Sequence, residues 1–328
     1  MSNVLIDINE AVRRINAGQS LLFAGEEKLL SQLPAGKWIG GTIPYFMTNK
    51  GGCFCQDKIF VTELPAGLGT RTSVYQQNEL SAVYQNTHEG ELAFIIMPAD
   101  SSVHVEFALN APNYPAFALQ PLLGWIAGVS LSELGKTSPK VFCGSPQPLA
   151  DAAVVLRIQL PPHLIPQLHI INLFDPGRGD AITFTQTGFS ATKALINGRE
   201  KNFADYLVEK KADTRLPLVA NYCGAMVNVS IKAVDAPIQR VDFYAPVVAG
   251  VEYHLADPIE NYVSEFEARL KELAPNHIVF SCNCILNYLY SQLEGHRTGG
   301  VTGPITFGEI AYQLLNQTLV YLTLEKIE

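Results

Sequence analysis

Phe280-Ser-Cys-Asn-Cys284, Gly303-Pro-Ile-Thr-Phe-Gly-Glu-Ile310 and Asn316-Gln-Thr-Leu-Val-Tyr-Leu-Thr-Leu324 follow one another near the end of this chain. The first is an apolar strand that ends in polar residues. The second is a Gly-bounded loop that holds one carboxylate, and the third is a closing strand able to pair beside the first. A strand end, a loop with Thr306 and Glu309, and a closing strand together predict the rim of a pocket. Cys282 and Asn283 then face a free helix N-terminus, where backbone N–H groups favour an anion and would lower a thiol pKa.

Working outward, the chain alternates short helices with β-branched or aromatic runs. Asp7 reads as an N-cap for a helix over 8–17, stopped by Gly18. A second short helix over 26–33 ends at Pro34. Strands are expected at 37–43, 58–63, 92–97, 102–107 and 152–160, with an irregular Pro- and Gly-rich loop over 111–130. Helix, Gly-bearing strand, strand and closing strand recur after Pro161, Pro162, Pro166 and Pro176. There the helices fall at 202–210, 258–273 and 284–293. The expectation is a mixed α+β chain of two related halves, 1–165 and 166–328, with mostly antiparallel or mixed sheets flanked by helices.

A length of 328 residues exceeds the ~250–300 that one core usually serves, which also argues for two units. With 48% hydrophobic and 16% charged residues the chain is ordered and rich in core. A formal charge of −8 and the lack of a basic run exclude tracking along phosphates, so nucleic acid is not an expected partner. No window approaches the ~18 apolar residues of a membrane helix, and the N-terminus lacks a basic, then apolar, export pattern. The expected location is the cytoplasm, and the six cysteines are expected to be reduced.

Several of these stretches resemble the FIST family of ligand-sensing proteins. The resemblance rests on the Ser-Cys strand, the Gly-x-x-Thr-x-Gly-Glu-Ile loop and the Asn-x-Thr-Leu-Val strand. Upstream it includes Ser190-Ala-Thr-Lys-Ala-Leu-Ile-Asn-Gly-Arg199 and Phe203-Ala-Asp-Tyr-Leu207, so it spans roughly 185–328. Where that family carries an arginine soon after Ser-Cys, this chain has Cys284-Ile-Leu286. The resemblance implies a sensor that binds a small metabolite such as an amino acid and signals through a separate protein partner. The ligand's carboxylate would sit on the amides near Cys282 and Asn283, and its ammonium on Glu309.

Asn221 and Tyr222, which with Cys223-Gly224 end an apolar strand, are further candidate contacts, and Arg297 is a loop cation able to clamp an acid. An enzyme reading would use Cys282 as the nucleophile of a hydrolase or transferase. A haem reading would use His254, His277 or His296 as axial ligand; otherwise no cofactor is expected. Cys53, Cys55, Cys282 and Cys284 would suffice in number for zinc, but Cys-x-Cys is not the usual knuckle spacing. Asp175-Pro-Gly-Arg-Gly-Asp180 lacks both EF-hand and P-loop spacing and reads as a turn. Asn228-Val-Ser230 fits a glycosylation pattern that carries no meaning in the cytoplasm.

Overall fold

The computed structural model describes residues 3–222, 225–273 and 277–326. It is a mixed α+β structure that divides into two compact units. The first takes in Met1–Ile171, Val263–Leu314 and Leu319–Glu328, and the second Asn172–Tyr262 with Leu315–Thr318. The expected division into halves at 165/166 is therefore corrected. The chain leaves the first unit near that point, but its later strands return to it, and the second unit is an insertion.

Those returning strands pair with early ones. Gly303–Thr306 runs antiparallel to Tyr45–Thr48, and Glu309–Ala311 antiparallel to Leu122–Ala127. Element order is legible in a sequence, but pairing across more than 180 residues is not.

Three sheets make up the first unit. The first is ordered Asn3–Ile6, Ile59–Glu63, Leu21–Gly25, Trp38–Thr42, Val141–Cys143. In the second, the central pair Glu91–Pro98 and Leu122–Ala127 is parallel and Ala153–Gln159 lies antiparallel beside it. In the third, Ile278–Cys284 lies between Leu319–Lys326, antiparallel, and Gly303–Thr306, parallel. The closing strand thus pairs beside the Ser-Cys strand, as its sequence predicts.

The second sheet buries one face against the other two. At Gly41 the first sheet approaches the second closely: a Cβ there would meet Ile96 Cγ2 at 2.7 Å and Ala127 Cβ at 3.2 Å. From the third sheet, Phe280 stacks on Trp125 at 5.7 Å and meets Phe94 edge-on at 5.5 Å. The first sheet's other face is covered by the helix Ile8–Asn16, which buries Ala11 and Ile15 against Leu21, Phe23 and Trp38. Asp7 caps that helix as expected, its Oδ1 accepting the Glu10 N–H at 2.9 Å.

Two expectations fail along the chain that builds the second sheet. Ser102–Asn110 is a helix, not a strand. Ser101 caps it by accepting the His104 N–H at 3.2 Å, and the Asp151 carboxylate holds the Ser102 hydroxyl at 2.8 Å and the Val103 N–H at 3.2 Å. Burial of Val103, His104 and Phe107 follows helical spacing, so capping and packing outweigh the β-propensity of the valines. The supposed loop 111–130 contains the fully buried strand Leu122–Ala127. Gly124 is required in it, because with φ at +159° an added Cβ would lie 1.7 Å from the Ile95 carbonyl oxygen.

The second unit packs Phe184, Phe203, Phe243 and Tyr253 between a six-stranded and a three-stranded sheet. Its helix Phe203–Glu209 is capped by Asn202, whose Oδ1 accepts the Asp205 N–H at 2.9 Å. Asp180 binds Lys210 Nζ at 2.9 Å, Asn197 Nδ2 at 2.7 Å and Tyr206 OH at 3.0 Å. The hydrogen bond from Lys210, then those from Asn197 and Tyr206, lower the Asp180 pKa from 3.8 to about 2. A depressed carboxyl contributes stability that is present above its unfolded value and lost as pH falls through the folded one. Thermal unfolding of this unit is therefore expected to be steady above about pH 4 and to weaken between about pH 4 and 2. In Asp180→Asn that acid dependence should flatten.

Candidate functional site

Cys282, Asn283, Thr306 and Glu309 do come together, but in the interior. Their exposures are 1%, 2%, 0% and 0%. The segment expected to be a loop is the point at which the chain changes sheets. Gly303–Thr306 belongs to the third sheet, Glu309–Ala311 to the second, and Phe307-Gly308 joins them. The crossing is pinned by Phe307 N–H to the Ile126 carbonyl at 3.1 Å and Ile126 N–H to the Gly308 carbonyl at 2.8 Å. Phe307 lies over Gly128, where an added Cβ would be 2.3 Å from its ring.

Within this crossing, Thr306 Oγ1 is 3.1 Å from the Gly308 carbonyl oxygen and 3.3 Å from both the Asn283 carbonyl oxygen and Glu309 Oε1. Asn283 Oδ1 accepts from the Cys284 N–H at 2.8 Å and from Asn287 Nδ2 at 3.0 Å. The Cys282 thiol donates to the Gly124 carbonyl at 3.4 Å. A gap lined by Met47, Cys282, Asn283, Pro304 and Leu319 has no room for a water molecule.

The expected open rim is thus corrected: these residues close the core where the chain passes between two sheets. The strand also runs on through Cys284, which is the N-cap of the helix Ile285–Tyr290, so Cys282 does not stand at a helix start. Burial, and next the Glu309 carboxylate, push the Cys282 thiol well above its ordinary pKa. That is the reverse of what an activated nucleophile needs. In the native protein Cys282 is expected to resist a neutral thiol reagent that modifies half-buried Cys53, Cys55 and Cys143, and to react only on unfolding; mass-mapped labelling reads this directly.

The other candidates lie elsewhere. Arg297 is exposed, in a loop strapped by Gly52 N–H to the His296 carbonyl at 3.0 Å and Gly295 N–H to the Gly52 carbonyl at 2.8 Å. Asn221 and Tyr222 belong to the second unit, where the Tyr222 and Tyr253 hydroxyls are 3.2 Å apart. Cys223 and Gly224 lie outside the described residues. Of the histidines considered for haem, His254 is in the second unit with Nδ1 3.2 Å from the Gly179 carbonyl oxygen, while His277 and His296 are exposed. Among the described residues no group of three or more His, Cys, Asp or Glu side chains is arranged to hold a metal ion. Nor does any described helix have the length and apolarity to cross a membrane.

Asn228 and Ser230, which the sequence reading set aside, are buried in the second unit. Asn228 exchanges amide hydrogen bonds with Asn172 at 2.9 and 3.0 Å and donates to the Asn316 carbonyl at 3.1 Å. Ser230 donates to Gln317 Oε1 at 2.7 Å. They clamp the Leu315–Thr318 turn, in which Gln317 takes a positive φ of 49°.

One open concavity of the first unit is a cleft of about 570 Å³ between the helix Tyr262–Leu273 and the segment Gly299–Thr302. Leu270 and Val301 give it apolar surface, Glu267 and Lys271 give it charge, and His277 adds an imidazole. Asn3 and Thr302 close one side, the Thr302 hydroxyl donating to the Asn3 carbonyl at 3.4 Å. Asn3 Nδ2 donates to the Val279 carbonyl at 3.3 Å, while its Oδ1 has no partner. Gly299 has φ +59°, and an added Cβ would reach Leu270 Cδ1 at 3.0 Å, so the loop lies close on the helix. Glu267 and Lys271 stand at i and i+4 on an amphipathic helix, a pattern shared by countless solvated faces, and so gave no signal in sequence.

No curated protein matches the chain. A family model described as a family of unknown function (DUF6976) matches residues 6–325, nearly the whole length, and the chain belongs to that family.

Proposed function

We propose that this protein binds a small metabolite, an amino acid or small organic acid, in the cleft beside the Tyr262–Leu273 helix. The carrying observation is the pair Glu267 and Lys271, one helical turn apart on the wall of a concavity of about 570 Å³. That volume lies within the ~300–1,000 Å³ of small-molecule sites. An ammonium would pair with Glu267 and a carboxylate with Lys271, and Leu270 and Val301 offer apolar surface to a short side chain. The FIST-like motifs point to the same ligand class. Their polar side chains lie inside the core, so on this reading the recognition falls to the neighbouring cleft.

Calorimetric titration of the whole chain with a panel of amino acids and small mono- and dicarboxylic acids tests this. One or more should bind; Lys271→Ala should weaken any binder about tenfold, the loss of one charge-assisted hydrogen bond, and Glu267→Gln should do the same for an amino acid, whose ammonium it would leave unpaired. Both side chains are exposed, so the variants should fold. No heat from any compound, or unchanged affinity in both variants, would overturn the proposal.

A further inference from the structure

Arg157, on the strand Ala153–Gln159 of the second sheet, has no exposed surface. A guanidinium stays charged inside a protein and carries five N–H hydrogens. Three of Arg157's are used: Nε donates to Thr87 Oγ1 at 3.1 Å, and Nη2 to the Val83 carbonyl at 2.8 Å and Tyr75 OH at 3.0 Å. The two on Nη1 have no acceptor. Tyr75 is in a related position. Its hydroxyl oxygen accepts from both Arg157 Nη2 and Asn86 Nδ2, the latter at 3.2 Å, so both lone pairs are taken and its hydrogen remains to be given.

The charge balance points the same way. Arg71 faces Arg157 across the neighbouring strand. The nearby carboxylate, Glu91, is already engaged by Arg71, at 2.9 Å from Nε and 2.6 Å from Nη2, and by the His88 N–H at 2.7 Å. Glu91 is thus paired with Arg71, and Arg157 is left with three neutral acceptors and the face of the Tyr75 ring. An uncompensated buried charge of this kind is costly, and arginine cannot relieve it by losing a proton.

We infer that Arg157 Nη1 and the Tyr75 hydroxyl hold a small monovalent inorganic anion of the halide class, enclosed when the first unit folds. One surplus positive charge calls for one negative charge, and a fully buried guanidinium favours a small ion over a phosphate or a metabolite. The site goes beyond the proposed ligand cleft and does not depend on it.

Crystals of the whole chain grown in sodium bromide should show an anomalous bromine peak within about 3.5 Å of Arg157 Nη1, a hydrogen-bonded distance for a large anion. A water molecule, or no density, at Nη1 in such crystals would overturn the inference. In solution, bromide or chloride should raise the unfolding temperature saturably above the value in sodium methanesulfonate at equal ionic strength, because the ion binds only the folded state. Tyr75→Phe should raise the half-saturating halide concentration about fivefold, the worth of one hydrogen bond, without preventing folding. Equal unfolding temperatures in the two salts would again count against the anion.

Discussion

Gly303→Ala is expected to cost about 3 kcal/mol or more, enough to leave little soluble native protein. A Cβ at Gly303 would lie 2.0 Å from the Ser281 carbonyl oxygen and 2.8 Å from its carbon. Both are backbone atoms of the adjacent strand Ile278–Cys284, so no side-chain rotation relieves the clash. The strands would have to separate where the Ser281 hydroxyl also donates to the Thr302 carbonyl at 2.8 Å. Gly300, three residues earlier, has open space at its Cβ position. Gly300→Ala should therefore change stability by no more than about 0.5 kcal/mol. Urea unfolding of the two variants side by side separates a glycine needed for strand contact from one that merely sits in a loop.

Phe280→Ala should destabilise by about 3–5 kcal/mol, the usual cost of emptying a buried aromatic site. Phe280 ties the third sheet to the second by stacking on Trp125 and meeting Phe94 edge-on. Phe280→Leu, which keeps most of the volume, should cost less than about 2 kcal/mol. A double-mutant cycle of Phe280 with Trp125 should return a coupling of about 0.5–1.5 kcal/mol, because the stacked pair is worth more than its separate burial. A coupling near zero would mean that the two sheets are not held together through this pair.

Local features were readable because local chemistry determines them. Asp7 before an apolar periodicity gave a capped helix, and alternating aromatic and β-branched runs gave the Ser-Cys and closing strands. The α+β class followed from the order of such elements. What escaped was long-range. Nothing local to Phe307-Gly308 announces a change of sheet, and a Gly-rich segment with one carboxylate resembles a surface loop because charged residues are seldom fully buried. Glu309 was expected at a rim for that reason, yet it lies opposite Trp125 in the core. The strand Leu122–Ala127 was hidden by Pro121 and Gly124, residues that ordinarily mark turns. Glu267 and Lys271 had the opposite problem, looking like any solvated helix face until the Gly299–Thr302 segment is seen beside them.

The reading of 280–310 as closed core, with the ligand taken up by the neighbouring cleft, is tested most directly by amide NMR on the whole chain during titration with a compound that binds. The shifts are expected to fall on Glu267, Leu270, Lys271, His277 and Gly299–Thr302, while Cys282, Asn283, Thr306 and Glu309 stay unperturbed. Saturating shifts centred on Thr306 and Glu309, with the helix wall silent, would contradict it.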